Sequence, residues 1–235
     1  MNLKFKIYKY LEKISYHSVL RGLVTEGIQI KTVYDIGAHK GRWTKEHISI
    51  FPKAKFIMFE ANKEHAEKLK SRGHTTFIGV LSSDGAPAKF YKKAGTGDSL
   101  YRENTPTYSE DTFEVVATRT LSQVAISENL PKPDFIKLDV QGAEIDILKG
   151  AGDLLDGCSL LLAECPIVPY NLGAPELNEY LAYFKSKGFS PLRITEQHSS
   201  KGCLLQIDIL FLKDSVRIKL FGKADSSTSA AQNND

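Results

Sequence analysis

Cysteine is scarce in this 235-residue chain, and its three copies, Cys158, Cys165 and Cys203, fall in no C-x-x-C or Cys/His pattern. An odd count without metal-ligand spacing excludes a disulfide framework and a zinc site as the basis of the fold, so all three read as buried thiols. The six histidines do not cluster either, and no metal is expected. Neither a G-x-S-x-G elbow nor an H-E-x-x-H pair occurs, which removes the commonest serine-hydrolase and zinc-protease chemistries. Long apolar runs are missing as well. The longest, near Leu160-Leu161-Leu162-Ala163, is far short of the roughly 18 residues that a membrane span requires. The amino terminus, Met1-Asn2-Leu3-Lys4-Phe5-Lys6, scatters lysines through apolar residues and offers no small-residue cleavage site. No secretory signal is expected, and the default location is the cytoplasm.

A strong excess of charge is also absent. The net charge is +3, of which residues 1–31 carry +4, so the remainder stands at −1. A near-neutral body argues against nucleic acid as partner, because phosphate contacts leave a basic patch. Within residues 1–31, Leu3, Ile7, Tyr10, Leu11 and Ile14 recur at helical spacing and predict a basic amphipathic helical extension. Such a helix either covers the sheet or cleft or makes peripheral contact with an anionic membrane. From Ala224 onward no apolar period remains, and residues 224–235 are expected to be a disordered tail. Residues 32–215 then form one α/β domain, a size at which a single core is sufficient.

What is present starts at Val33-Tyr34-Asp35-Ile36-Gly37-Ala38-His39-Lys40-Gly41. An apolar strand runs there into an acidic, glycine-bearing turn and then a helix, the arrangement by which open α/β sheets hold nucleotide-like ligands. The stretch Lys55 to Glu60 reads as a second buried strand, and its terminal carboxylate lies roughly 20 residues past the first glycine, where ribose-binding acids stand. Thr75 to Leu81 reads as a third strand and Ala88 to Lys92 as a short extra one, followed by a ligand-facing loop at 94–99. Leu121 to Leu130 reads as a helix stopped by Pro131 and Pro133.

The block Asp134-Phe135-Ile136-Lys137-Leu138-Asp139-Val140-Gln141-Gly142-Ala143-Glu144 repeats the strand-acid-glycine-helix pattern, with Gly150 ending the helix. Asp139 either points into the cleft or caps the following helix. Lys137, on the same face, either pairs with an acid or snorkels past apolar neighbours. Ser159 to Ala163 forms a fifth strand that ends at Glu164. Residues 174–187 read as a helix, Ser190 to Thr195 as an edge strand, and Leu205 to Leu212 as a long β-run paired antiparallel, since Lys201-Gly202 leaves room only for a tight connection.

Together these residues resemble the FkbM family of S-adenosylmethionine-dependent methyltransferases. The resemblance rests on V-Y-D-I-G-A-H-K-G-R-W at 33–43, F-E-A at 59–61, D-F-I-K-L-D-V-Q-G-A-E-I-D-I-L-K-G-A at 134–151 and L-L-A-E-C at 161–165. It implies a Rossmann-like class I methyltransferase fold: a seven-stranded, mostly parallel sheet with an antiparallel last strand and helices on both faces. It further implies S-adenosyl-L-methionine as cofactor, with Asp35, Gly37 and Gly41 shaping the pocket for its methionine part and Ala38 and His39 in the same turn. Glu60 would hold the ribose, Leu81 and Ser82 would lie near the adenine, and Asp139 would stand beside the amino group or sulfonium.

The expected reaction is O-methylation of a hydroxyl on a sugar or other small metabolite, with Asp139 and Glu164 as candidate bases. Two other classes share parts of this pattern. An NAD-dependent oxidoreductase would show a fuller G-x-G-x-x-G turn, and a cofactor-binding module would lack an acceptor cavity.

Overall fold

The computed structural model describes residues 16–93, 97–104 and 112–222. Residues 1–15 of the basic extension and all of the 224–235 tail therefore lie outside the described residues, as do residues 94–96 of the expected ligand-facing loop.

The strands are β1 (Thr32–Ile36), β2 (Lys55–Glu60), β3 (Thr75–Ile78), β4 (Val80–Leu81), β5 (Ala88–Tyr91), β6 (Phe113–Val116), β7 (Thr118–Arg119), β8 (Phe135–Leu138), β9 (Leu160–Pro166), β10 (Phe189–Ser200) and β11 (Cys203–Lys213). Helix α1 covers residues 16–25. It is followed by α2 (Arg42–His47), α3 (Ala66–Lys70), α4 (Leu121–Ser127), α5 (Glu144–Lys149), α6 (Leu177–Ser186) and α7 (Asp214–Phe221).

Seven strands form one sheet in the order β10-β11-β9-β8-β1-β2-β3. All pairs are parallel except those made by β11, which runs antiparallel to both β9 and β10. This is the class I methyltransferase sheet. The strand order reverses between β1 and β8, whose carboxyl ends therefore flank the crevice where open α/β sheets bind ligands.

Period-two alternation splits the central strands between two cores. Tyr34, Ile36, Ile57, Phe59, Ile136 and Leu138 pack with residues of α4, α5 and α6. Val33, Phe56, Phe135, Leu160 and Leu210 point to the other face, where Tyr16, Leu20 and Leu23 of α1 cover them. The described part of the amino-terminal segment thus lies on the sheet. Burial on both faces is why β1 reads as an unbroken apolar run around one acid.

Several boundaries differ from the sequence expectation. The third strand stops at Ile78, because Gly79 turns the chain and donates to the Glu60 carbonyl at 2.9 Å. Leu81 consequently belongs to β4, which pairs with β7 in a separate two-stranded sheet. Helix α4 ends three residues before Leu130, well fixed at its start by the reciprocal Thr120 and Gln123 capping box. Gly150 does end α5, but with φ −81°. Its missing side chain serves space, since a Cβ there would stand 2.6 Å from the Ser82 carbonyl oxygen. Helix α7 was not foreseen. Asp139 does not cap α5; the preceding residue Ala143 holds that position, and Asp139 is free to face the cleft.

Cys158 and Cys165 are buried, but Cys203 opens β11 at the surface and is exposed, correcting the expectation of three buried thiols. Burial pushes the Cys158 thiol up to about 12 and raises Cys165 too, so neither supplies thiolate near neutrality. Iodoacetamide at mildly alkaline pH should therefore modify a single thiol, Cys203, in folded protein and all three in denaturant; mass spectrometry of intact protein reads the count. Rapid labelling of Cys158 without denaturant would contradict this packing.

Candidate active site

The cleft opens at the carboxyl ends of β1, β2 and β8 and encloses about 210 Å³. That exceeds tenfold the roughly 10–15 Å³ one water needs, so the space suits a molecule rather than solvent. One side is built by Gly37, His39, Glu60 and Asn62, the other by Asp139 and Gln141, with Leu81, Phe90, Leu100 and Ile147 as apolar wall.

Gly37 joins the halves. Its φ is +77°, and a Cβ would fall 1.9 Å from the Asp139 carbonyl oxygen, so the turn after β1 touches the turn after β8 through bare backbone. Beneath this contact β1 and β8 run in register, placing Asp35 beside Lys137. The Lys137 ammonium lies 3.2 Å from Asp35 Oδ1 and 3.5 Å from Asp139 Oδ2, and donates to the Gly37 carbonyl at 2.9 Å. Lys137 therefore pairs with acids rather than snorkelling. Burial pulls its pKa down, but Asp35 and Asp139 outweigh that and hold it above the ordinary lysine value. Asp35, fully buried, also accepts from the Thr44 hydroxyl at 2.7 Å, while the Asp139 side chain is 47% exposed.

At the other end Glu60 organises the glycine turn. Its Oε2 accepts from the His39 backbone N–H at 2.6 Å and Oε1 from that of Asn62 at 2.8 Å. Each oxygen keeps a second lone pair for a ligand hydroxyl. His39 takes φ 50°, and its ring stands edge-on to His65 with centroids 4.3 Å apart. Burial, then the neighbouring His65 and Lys40, lower the His39 pKa and favour a neutral ring. Asn62 donates to Asp98 at 3.0 Å, and the Ser99 hydroxyl donates to the Gln141 carbonyl at 2.8 Å, so residues 97–100 strap the cleft from Glu60 to Asp139.

The remaining expected residues serve the frame. Ala38 packs on Met58 and Leu69, and Gly41 caps α2 at φ 69° without lining the cleft. The Ser82 hydroxyl meets Thr118 at 2.6 Å and accepts from the Gly85 N–H, away from the cleft wall that Leu81 joins. Glu164 sits within β9 rather than at its end. Its carboxyl accepts from Gln141 at 3.0 Å, Tyr170 at 3.1 Å and the Gln206 amide. Burial, then Asp139, Asp208 and Glu144, raise it well above the usual carboxylate range. Gln141 takes φ 58° and links Glu164 to Asp139 Oδ1 at 3.3 Å. Glu144 accepts from the Val140 and Gly142 N–H groups and from Tyr180, fixing the turn after β8 from inside.

Sequence reasoning missed Asn62, His65, Phe90, Asp98, Tyr170 and Gln206, which stand in no motif and arrive from separate loops and strands.

The strand order and the cleft at its reversal define the class I methyltransferase fold. Residues 35–191 match the methyltransferase FkbM domain family, and the chain belongs to that family. The hexuronic acid methyltransferase AglP of Haloferax volcanii is similar at 25% identity over 154 residues, 62% of this chain. The match spans 60% of the length of that curated relative. Among solved structures, magnesium protoporphyrin IX methyltransferase from Synechocystis PCC 6803, with bound SAM, aligns at TM-score 0.46 and 12% identity over 91% of this chain and 85% of that one. Precorrin-6y C5,15-methyltransferase from Geobacter metallireducens aligns at TM-score 0.43 and 10% identity over 83% and 84%. The strand order, rather than these distant likenesses, carries the fold assignment. Among the described residues no helix is long and apolar enough to cross a membrane, and no cluster of metal-ligating side chains occurs.

Gly37→Ala should cost at least about 2 kcal/mol in urea unfolding, since left-handed strain and a backbone clash add. Gly73→Ala shares the strain, with φ +75° and nothing within 4 Å, and should cost only about 1–2 kcal/mol. Equal losses would show that the contact with Asp139 is not tight.

Proposed function

We propose that this protein transfers the methyl group of S-adenosyl-L-methionine to a hydroxyl oxygen of a sugar or other small metabolite. The observation that carries this reading is the placement of two carboxylates, Glu60 and Asp139, at opposite ends of one cleft with an apolar wall between them. The donor set suits the group: lone pairs on Glu60 for ribose hydroxyls, Leu81 and Phe90 for an adenine face, and an anionic Asp139 side for ammonium and sulfonium. The AglP resemblance supports a sugar as acceptor. A nicotinamide reading loses its ground, because the turn at 37–41 lacks the third glycine and the family is one of methyltransferases.

When bound, the cofactor supplies an electrophilic methyl on a sulfonium. The protein's part is chiefly to align the acceptor oxygen behind that methyl and to exclude competing geometries. The chain's own residues would then take the proton that the acceptor hydroxyl gives up on methylation. Asp139, half exposed at the cleft, receives it. Glu164, which burial favours in the protonated form, instead holds Gln141 in place beside Asp139, with Tyr170 and Gln206 bonded to the same carboxyl. Asp35, Gly37, Ala38 and Gly41 set the turn under the methionine part, His39 presents its backbone to Glu60, and Ser82 positions Leu81.

Calorimetry with S-adenosylmethionine and NAD in parallel tests the donor; absent binding of the former by folded protein rejects the reading. Glu60→Ala should weaken S-adenosylmethionine binding about 10- to 100-fold, the worth of one or two charge-assisted hydrogen bonds, and also lower stability because Glu60 holds the His39 and Asn62 N–H groups. Asp139→Asn should reduce turnover about 100-fold or more while barely moving the melting temperature. Full activity in that variant would remove Asp139 from the mechanism. Mass spectrometry of a metabolite extract incubated with isotopically labelled cofactor identifies the acceptor.

A further inference from the structure

Lys137 occupies a place the methyl-transfer reading leaves unused. It is 6% exposed and does not line the cleft, yet its ammonium is shared between a fully buried carboxylate, Asp35, and the cleft-facing one, Asp139. A buried lysine is expensive unless paired, and here two acids and the Gly37 carbonyl meet it. Asp35 alone would have sufficed to neutralise it. The second acid makes the group of three carry one net negative charge.

That charge stands among other titratable neighbours. From its place just beyond β8, Asp139 faces Lys137 on that strand, Asp35 on β1, His39 on the glycine turn, Glu144 on α5, and Glu164 and Tyr170 from β9 and the segment after it. Lys137 is the cation among them that touches both aspartates. We propose that Lys137 is a positioning residue whose charge neutralises buried Asp35, so that Asp139 alone presents one negative charge to the sulfonium cofactor. This rests on the methyl-transfer reading for the identity of the ligand, but the charge arrangement is a property of the chain.

Removing the cation leaves two carboxylates that had both stood within 3.5 Å of one nitrogen. Asp139 then loses the ammonium that favours its charged form and is left beside a like charge, so it takes up its proton at higher pH. Lys137→Met should therefore raise the acid midpoint of S-adenosylmethionine affinity, followed by calorimetry across pH, by about one pH unit or more. Asp35→Asn combined with Lys137→Met restores the net charge of the group and should return the midpoint to that of the wild type. A purely structural lysine would lower stability and affinity in Lys137→Met without moving the midpoint, and would gain nothing from Asp35→Asn. A folded Lys137→Met protein with the wild-type midpoint overturns the proposal, as does a double variant whose midpoint stays displaced. Should Lys137→Met fail to fold, the double variant decides: folded with the wild-type midpoint supports charge balance, whereas unfolded or unable to bind at any pH refutes it. Failure of the wild type itself to bind would sink the methyl-transfer reading and this inference together; binding by the wild type with either adverse variant result sinks this inference alone.

Discussion

The ammonium of Lys137 is the point to which both turns of the cleft are tied. It lies between Asp35 of β1 and Asp139 just beyond β8, and it bonds the carbonyl of Gly37. Parallel pairing of β1 and β8 puts Lys137 opposite Asp35, and the sheet's reversal of order at that pair opens a crevice directly above. Burying an ion pair seldom adds stability over apolar packing, but breaking one is costly. The pair therefore acts as a constraint on how the two turns can stand, more than as a source of folding energy.

From that constraint the rest of the cleft follows. With Gly37 pressed on the Asp139 carbonyl, the glycine turn has one path, and its N–H groups reach Glu60. Glu144 performs the same service under the second turn, accepting two backbone N–H groups that would otherwise lie buried without partners. Acids thus play two parts in this protein. Glu144 and Asp35 are buried and structural, whereas Glu60 and Asp139 keep lone pairs directed at open space.

Much of this was legible in the chain. The D-I-G-A-H-K-G turn, the acid closing β2 and the D-V-Q-G-A-E turn are local patterns in which strand, glycine and acid follow within a few residues, so spacing alone announces them. Ser82, placed near the adenine by resemblance alone, has no such local pattern: its neighbour Leu81 does line the cleft, but Gly79 diverts the chain into a second sheet and turns the serine toward Thr118. Glu164 looked like a strand-end acid because the apolar run stops before it, whereas pairing with β11 carries the strand on to Pro166.

The amino-acid sequence by itself determined the α/β class, the two glycine turns, the acids that follow the strands and the antiparallel final hairpin, because each depends on side chains only a few positions apart. Tertiary structure alone decided which acids face the cleft and which are consumed beneath it. Asp35 and Asp139 read alike in the chain; one is buried against Thr44 and Lys137, the other is half open, and only the packing of the sheet's two faces separates them. The same holds for Asn62, Asp98, Tyr170 and Gln206, which converge from distant segments and carry no local signature, because closeness in space across a sheet leaves no periodicity along the chain.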